Sequence, residues 1–168
     1  MKKHLILTTT LFIICISAYT QKITKKELLG SYSLKRIDYI YADTTIEVNP
    51  SQSGFLILSP ERYAIAYNPG LKARVAFKNL SNPTEDEIQA GFKSFAFNSG
   101  SYEVKNGDFV ASPDFAKVPG FEGGKQVYAI EKISDQYIFT MYDETYPSGE
   151  KPSWYGKLKI KLYFDREK

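Results

Sequence analysis

The dipeptide Asn106-Gly107 separates two runs rich in apolar and aromatic residues, 97–105 and 108–112. Asn-Gly readily takes a left-handed conformation at both centres of a two-residue turn, so it fixes a hairpin and the register of its strands. Side chains then alternate between faces. Tyr102 and Val104 share one face, with Phe109 or Val110 across from them, and Ser101, Glu103 and Lys105 share the other. The same alternation recurs. "GFLILS" and "RYAIAY" flank Pro60-Glu61 within 54–67, with Tyr63, Ile65 and Tyr67 on one face and Arg62, Ala64 and Ala66 on the other. Residues 125–133 and 136–142 flank Ser134-Asp135. In "WYGKLKIKLYFDR", 154–166, Leu158, Ile160, Leu162 and Phe164 oppose Lys157, Lys159 and Lys161. Strand runs of this length bounded by turn residues predict an antiparallel meander.

The rest of the chain fits around these hairpins. Thr24 and Glu27 have capping-box spacing for a short helix over 22–29, which Gly30 ends. Residues 31–41 read as a strand and 45–48 as a short one, with Asn49-Pro50 closing the segment. Residues 71–80 read as irregular. Pro83 at a first helical position, followed by Glu85, Asp86 and Glu87, predicts one longer helix over 83–94, docked on the sheet or across its end. Loops are expected at 113–124 and 143–153. The count is about eight antiparallel strands and one good helix. A strongly twisted sheet of that size removes its exposed edges by closing. A flat sandwich is the rival; the consecutive up-down hairpins favour a mainly β fold, an up-and-down barrel formed by residues 21–168.

Residues 1–20 read as a secretory signal peptide: Lys2 and Lys3 in a basic start, an apolar run from Leu5 to Ile16, and small residues before a cleavage site near Thr20/Gln21. The apolar run is short for a membrane span. Ile14 precedes Cys15, where a lipoprotein signal carries a small residue. Export to the periplasm or the exterior is expected, with no transmembrane segment in the mature chain.

The leader holds Cys15 and His4, the only cysteine and the only histidine. A mature chain from Gln21 then has no disulfide, no thiolate nucleophile and no imidazole base or metal ligand, which excludes Ser-His-Asp and Cys-His catalysis and His- or Cys-ligated zinc. Taking Lys2 and Lys3 from the 22 Lys and Arg leaves 20 against 19 Asp and Glu. So even a balance is not that of a nucleic-acid binder. No cofactor and no metal site is expected, and the sequence leaves the oligomeric state open.

Three stretches carry a likeness. "LLGSYSL" (28–34) resembles the opening L-x-G-T-W-x-L of the bacterial lipocalin-like domain family, in the calycin group of small barrels. "GFLILSPERYAIAY" (54–67) resembles its G-x-L-x-Y-x-x-D-G-x-M hairpin. The run 92–110, with Pro119, Gly123 and Gln126 after it, resembles its Y-x-G-T-Y-x-V-x-G strand pair and following loop. Tyr32 stands where the family usually has Trp, and "DFVASPDF" lacks the histidines that some members carry there. The resemblance implies a small barrel with room for a small molecule.

Ligand contacts are expected from the strand tyrosines. Tyr63, Tyr67, Tyr102 and Tyr128, with Tyr137 and Tyr142, offer an amphipathic lining, or else fill the barrel. Arg62 and Arg74 are placed to clamp an anionic group or to sit solvated at the rim. Arg36 and Asp38 share a face, more naturally the outer one. Trp154 packs at a barrel end. Asp114, Glu122, Asp143 and Glu144 read as solvated loop charges. The leading reading is a binding module for a small apolar or amphipathic ligand, marked by an internal cavity of roughly 300 Å³ or more. Two alternatives stand beside it. One is an isomerase or cyclase acting on a hydrophobic substrate, marked by an inward carboxyl of raised pKa beside a tyrosine. The other is a filled barrel presenting its loops to an envelope partner.

Overall fold

Tight turns gather at one end of the molecule and the long connections at the other. The computed structural model describes residues 22–168, so the expected leader, His4, Cys15 and the cleavage site lie outside the described residues. The strands are β1 (Gly30–Ile40), β2 (Thr45–Val48), β3 (Phe55–Leu58), β4 (Arg62–Tyr67), β5 (Ala96–Lys105), β6 (Asp108–Ala116), β7 (Lys125–Ile133), β8 (Gln136–Thr145) and β9 (Lys159–Arg166). Two helices, α1 (Lys25–Leu28) and α2 (Glu85–Lys93), accompany them. Residues 59–61, Asn106-Gly107 and Ser134-Asp135 turn the chain at the tight end. Asn106 has φ 58° and Gly107 φ 96°, the left-handed pair that their sequence predicts. Residues 68–95, 117–124 and 146–158 form the other end.

The sheet is wholly antiparallel and closed. Its order is β2-β1-β3-β4-β5-β6-β7-β8-β9, and β1 also pairs with β9. β2 and β3 share one edge of β1: Ile40 to Ile37 face Thr45 to Val48, and Ser33 to Gly30 face Phe55 to Leu58. The two short strands therefore act as one interrupted strand, and the barrel has eight staves. Leu34 N donates to Gly54 O at 2.9 Å beside the interruption.

Three bulges reset which side chains face inward. Lys35 is the extra residue on β1, between the Leu34–Phe164 and Arg36–Tyr163 pairs. Asp114 is extra on β6, between Gly100–Pro113 and Ser99–Phe115. Tyr142 is extra on β8, between Tyr128–Met141 and Val127–Asp143. Each bulge lets the strand continue past the point where its alternation fails. β6 accordingly runs through Pro113 to Ala116 and β8 runs to Thr145, where the sequence reading expects loops from 113 and 143. β9 starts at Lys159 rather than Trp154, because residues 153–157 form a turn. Trp154 packs partly buried against the core from that turn.

The helices follow their caps. Thr24 and Glu27 form a capping box on α1, and Thr84 and Glu87 form one on α2. Thr84 is the N-cap of α2, so Pro83 lies just outside the helix instead of at its first position. No residue of α2 is buried. The helix is tied to the preceding loop, with Lys78 N donating to Glu87 Oε1 at 2.8 Å and Arg74 Nε to Ser94 Oγ at 3.0 Å.

The tight end is sealed. Tyr32, with no exposed surface, donates to Leu28 O at 2.6 Å and meets Tyr137 edge-on at 5.2 Å. Arg166 Nη2 lies 2.9 Å from both Tyr32 Oη and Leu29 O, and the guanidinium sits over both rings. Tyr32 thus plugs this end of the barrel. Deeper in, Phe109 stacks on Tyr102 at 5.0 Å and meets Tyr63, Tyr128 and Phe139 edge-on at 5.8, 5.9 and 5.5 Å. Such geometry adds to the stability that ring burial supplies.

Gly100, opposite the β6 bulge, has no room for a side chain. A Cβ there would sit 2.1 Å from Ser112 O and 2.7 Å from Pro113 Cα. At Gly107 a Cβ would meet nothing within 4 Å. Gly100→Ala is therefore expected to cost about 3 kcal/mol through a backbone clash that no rotamer relieves. Gly107→Ala is expected to cost about 1 kcal/mol through its left-handed φ alone. Urea unfolding of both variants checks this order; equal shifts in midpoint would contradict it.

Candidate functional site

The bulges on β6 and β8 act together at the long-loop end. On β8, Tyr137, Phe139 and Met141 point inward and are buried. The extra residue Tyr142 shifts the alternation, so Glu144 rather than Asp143 is the next inward side chain. Glu144 pairs with Gln126 of β7, and Asn98 of β5 pairs with Ala116 beyond the β6 bulge. These positions make a polar layer above the aromatic core.

The layer is hydrogen-bonded in one direction. Tyr63 Oη donates to Asn98 Oδ1 at 2.6 Å. Asn98 Nδ2 donates to Gln126 Oε1 at 3.1 Å, and Tyr128 Oη donates to the same oxygen at 3.0 Å. Gln126 Nε2 then donates to Glu144 Oε2 at 2.7 Å. Each donor points toward the next group, and the chain ends on the carboxylate. Burial pushes the Glu144 carboxyl above its usual 4.5; the Gln126 bond opposes this and the Asp143 charge adds to it. Burial also raises the Tyr63, Tyr67 and Tyr128 hydroxyls, which therefore stay protonated at neutral pH and serve as donors.

Above this layer lies a pocket of about 390 Å³. Asn98, Gln126 and Glu144 form its polar side; Phe97, Phe121 and Tyr146 form aromatic walls. Phe121 meets Tyr146 edge-on at 6.2 Å. The 117–124 loop is held over the pocket by Gly123 N donating to Pro113 O at 2.9 Å and by Glu122, whose carboxylate accepts from Ala116 N and Gly120 N. Lys117 also borders the pocket, but its ammonium donates to Phe95 O at 2.7 Å and lies over the Phe92 ring at 4.3 Å.

The space anticipated inside the barrel lies at its mouth instead. At the centre, the void between Leu56, Tyr63, Phe109, Tyr128, Phe139 and Phe164 is about 10 Å³, barely enough for one water. Tyr102, Tyr63 and Tyr128 fill the barrel there. Tyr102 Oη donates to Ser59 O at the sealed end. None of Tyr63, Tyr67, Tyr102, Tyr128 and Arg62 borders the mouth pocket; Tyr63 and Tyr128 reach it through Asn98 and Gln126. Tyr67 packs partly buried against the core. Arg62 is an outer-wall residue, exposed and 2.6 Å from the bulge residue Asp114. Arg74 is held by Ser94 and lies over Phe95. Arg36 and Asp38 do face outward, as an ion pair at 3.0 Å, and Tyr163 Oη donates to Asp38 at 2.7 Å.

Asp114, Asp143 and Glu144, expected as solvated loop charges, all lie on strands: Asp114 and Asp143 pair with Arg62 and Lys151, and Glu144 turns inward. Asn98 and Gln126 are not site candidates in the sequence reading, where Gln126 enters only through the motif likeness. Strand-forming Thr145 after Glu144 was a signal for a longer β8, yet only the bulge reveals which of Asp143 and Glu144 turns inward. Among the described residues, no group of three or more His, Cys, Asp or Glu is placed to hold a metal ion, and no helix is long and apolar enough to cross a membrane. The chain matches no protein-family model and no curated protein.

The raised Glu144 carboxyl has a consequence for stability. A carboxyl whose folded pKa exceeds its unfolded value binds protons more tightly when folded. Stability then falls as pH rises between the two values, and the loss persists at neutral pH. Glu144→Gln removes this titration and keeps an acceptor for Gln126. The variant is expected to gain on the wild type in urea unfolding as pH rises from about 4 to about 8. A difference that stays constant with pH would mean that Glu144 is solvated.

Proposed function

We propose that this chain is a lipocalin-like binding module that takes a small amphipathic molecule into the mouth pocket. The observation that carries this reading is the pocket itself: about 390 Å³ of space with aromatic walls and a converging polar floor. Pockets of this size and character are the usual form of small-molecule sites. The closed eight-stranded barrel with its buried aromatic cluster is compatible with that role, and the motif resemblance at 28–34, 54–67 and 92–110 supports it. The leader expected in residues 1–20 supports action in the periplasm or outside the cell.

The packed centre makes the barrel a rigid base. The aromatic layer holds Tyr63 and Tyr128, these orient Asn98 and Gln126, and those orient Glu144. A ligand would meet polar groups already committed to one geometry, which reduces the ordering cost of binding.

A second reading is favoured by Glu144: an isomerase or cyclase in which this carboxyl moves a proton on a hydrophobic substrate. A general acid or base needs a pKa near the working pH and a pocket that brings it to the substrate. Glu144 is an inward carboxyl that burial raises, it borders the pocket, and Gln126 links it to Tyr128.

Titration with the neutral fluorophore N-phenyl-naphthylamine tests the binding reading. Saturable binding is expected, weakened about tenfold by Ala116→Phe, which fills the pocket, and by Phe121→Ala, which removes a wall. Arg62→Ala is expected to leave it unchanged. Binding that is indifferent to both pocket variants would overturn the assignment of this site.

A further inference from the structure

Glu144 has no cationic partner among the described residues. Its Oε2 accepts from Gln126, and its Oε1 accepts from no described residue. Lys117 borders the pocket and Lys151 reaches the neighbours of Glu144 in sequence, and both are occupied elsewhere. Lys117 is drawn to Phe95 O and to the rings of Phe92 and Phe95. Lys151 pairs with Asp143 at 2.5 Å and donates to Thr145 Oγ1 at 2.7 Å. Asp143 thereby has a cationic partner, and its neighbour Glu144 has none among the described residues. Glu144 is half-buried at the edge of the pocket, and a carboxylate drawn partly out of water gains from an opposite charge beside it.

The hydrogen-bond chain sharpens the point. Tyr63, Tyr128, Asn98 and Gln126 all send donors toward Glu144, so the layer as built terminates on an acceptor. The carboxylate lacks a charge of opposite sign. Beside it stand Phe121 and Tyr146, and aromatic faces attract cations. A ligand anion would meet the carboxylate directly and would find no unoccupied lysine.

We propose that the mouth pocket selects small molecules that carry an ammonium group on an apolar or aromatic body, with Glu144 as the counter-charge and Phe121 and Tyr146 as the adjoining walls. This deepens the binding reading and rests on it. The ammonium donates to the Glu144 carboxylate, while the apolar body lies against Phe97 and the loop above.

Three probes of matched size separate the alternatives: phenethylamine as the cation, phenethyl alcohol as the neutral analogue and hydrocinnamate as the anion. Amide NMR titrations of the mature chain follow each at neutral pH. Phenethylamine is expected to shift the Gln126, Glu144 and Tyr146 amides and to bind about tenfold or more tighter than the alcohol, with hydrocinnamate weakest. Glu144→Gln is expected to abolish the advantage of the amine and to leave the alcohol within about twofold. Equal affinity for amine and alcohol, or an advantage that survives in Glu144→Gln, would overturn the ammonium proposal; the pocket would still stand as a ligand site if Ala116→Phe weakens all three probes. Probes that leave the pocket amides unmoved would overturn both.

Discussion

The barrel depends on the seam between its first and last strands. β1 and β9 pair from Tyr32–Arg166 to Ile40–Lys159, and Glu167 N continues the ladder to Ser31 O at 2.9 Å. Without that seam the sheet would expose two edges and the aromatic side chains would face water. Arg166 locks the seam at the sealed end, because one guanidinium engages the Glu27 and Leu29 carbonyls, the Tyr32 hydroxyl and two ring faces. Backbone pairing, a helix terminus and the aromatic plug meet at this residue. The core therefore starts from a fixed end, and the long connections gather at the other.

That asymmetry explains where space is found. Strand tyrosines and phenylalanines are large enough to fill an eight-stave barrel, and around Phe109 they do so with ring pairs at 5.0–5.9 Å. A filled barrel leaves room only where the staves diverge and the loops begin. At that level the side chains change from aromatic to polar, through Asn98, Gln126 and Glu144. The polar groups are satisfied by one another and by tyrosine hydroxyls rising from below, so the boundary between core and pocket carries few unmet hydrogen bonds.

The pattern of alternation made the fold legible: Tyr63, Ile65 and Tyr102 face inward where their spacing puts them, and the Asn106-Gly107 turn set the register of the hairpin that holds Phe109. The site was less legible because it depends on insertions into that pattern. Period-two reading assumes an unbroken pleat, and a bulge reverses it from one residue to the next. Asp114 and Tyr142 are ordinary residues with nothing local to mark them as extra. What betrays them is their partners across the sheet, Gly100 among them, and partnership is not visible along one strand. The tyrosine spacing likewise could not distinguish lining from filling, since both use the same inward face. The packed centre around Phe109 resolves that choice through volume, which spacing does not encode.

The single direction of the chain from Tyr63 to Glu144 has one more effect. Because each amide and hydroxyl in it is committed as a donor toward the mouth, a change of charge at Glu144 reorders polarisation along the whole series. The far terminus is a phenol packed edge-on against Phe109, 5.8 Å from that ring. Tyrosine absorption and ring-proton frequencies deep in the barrel therefore register a change of charge at Glu144, so the interior carries an optical and magnetic gauge of the barrel's mouth.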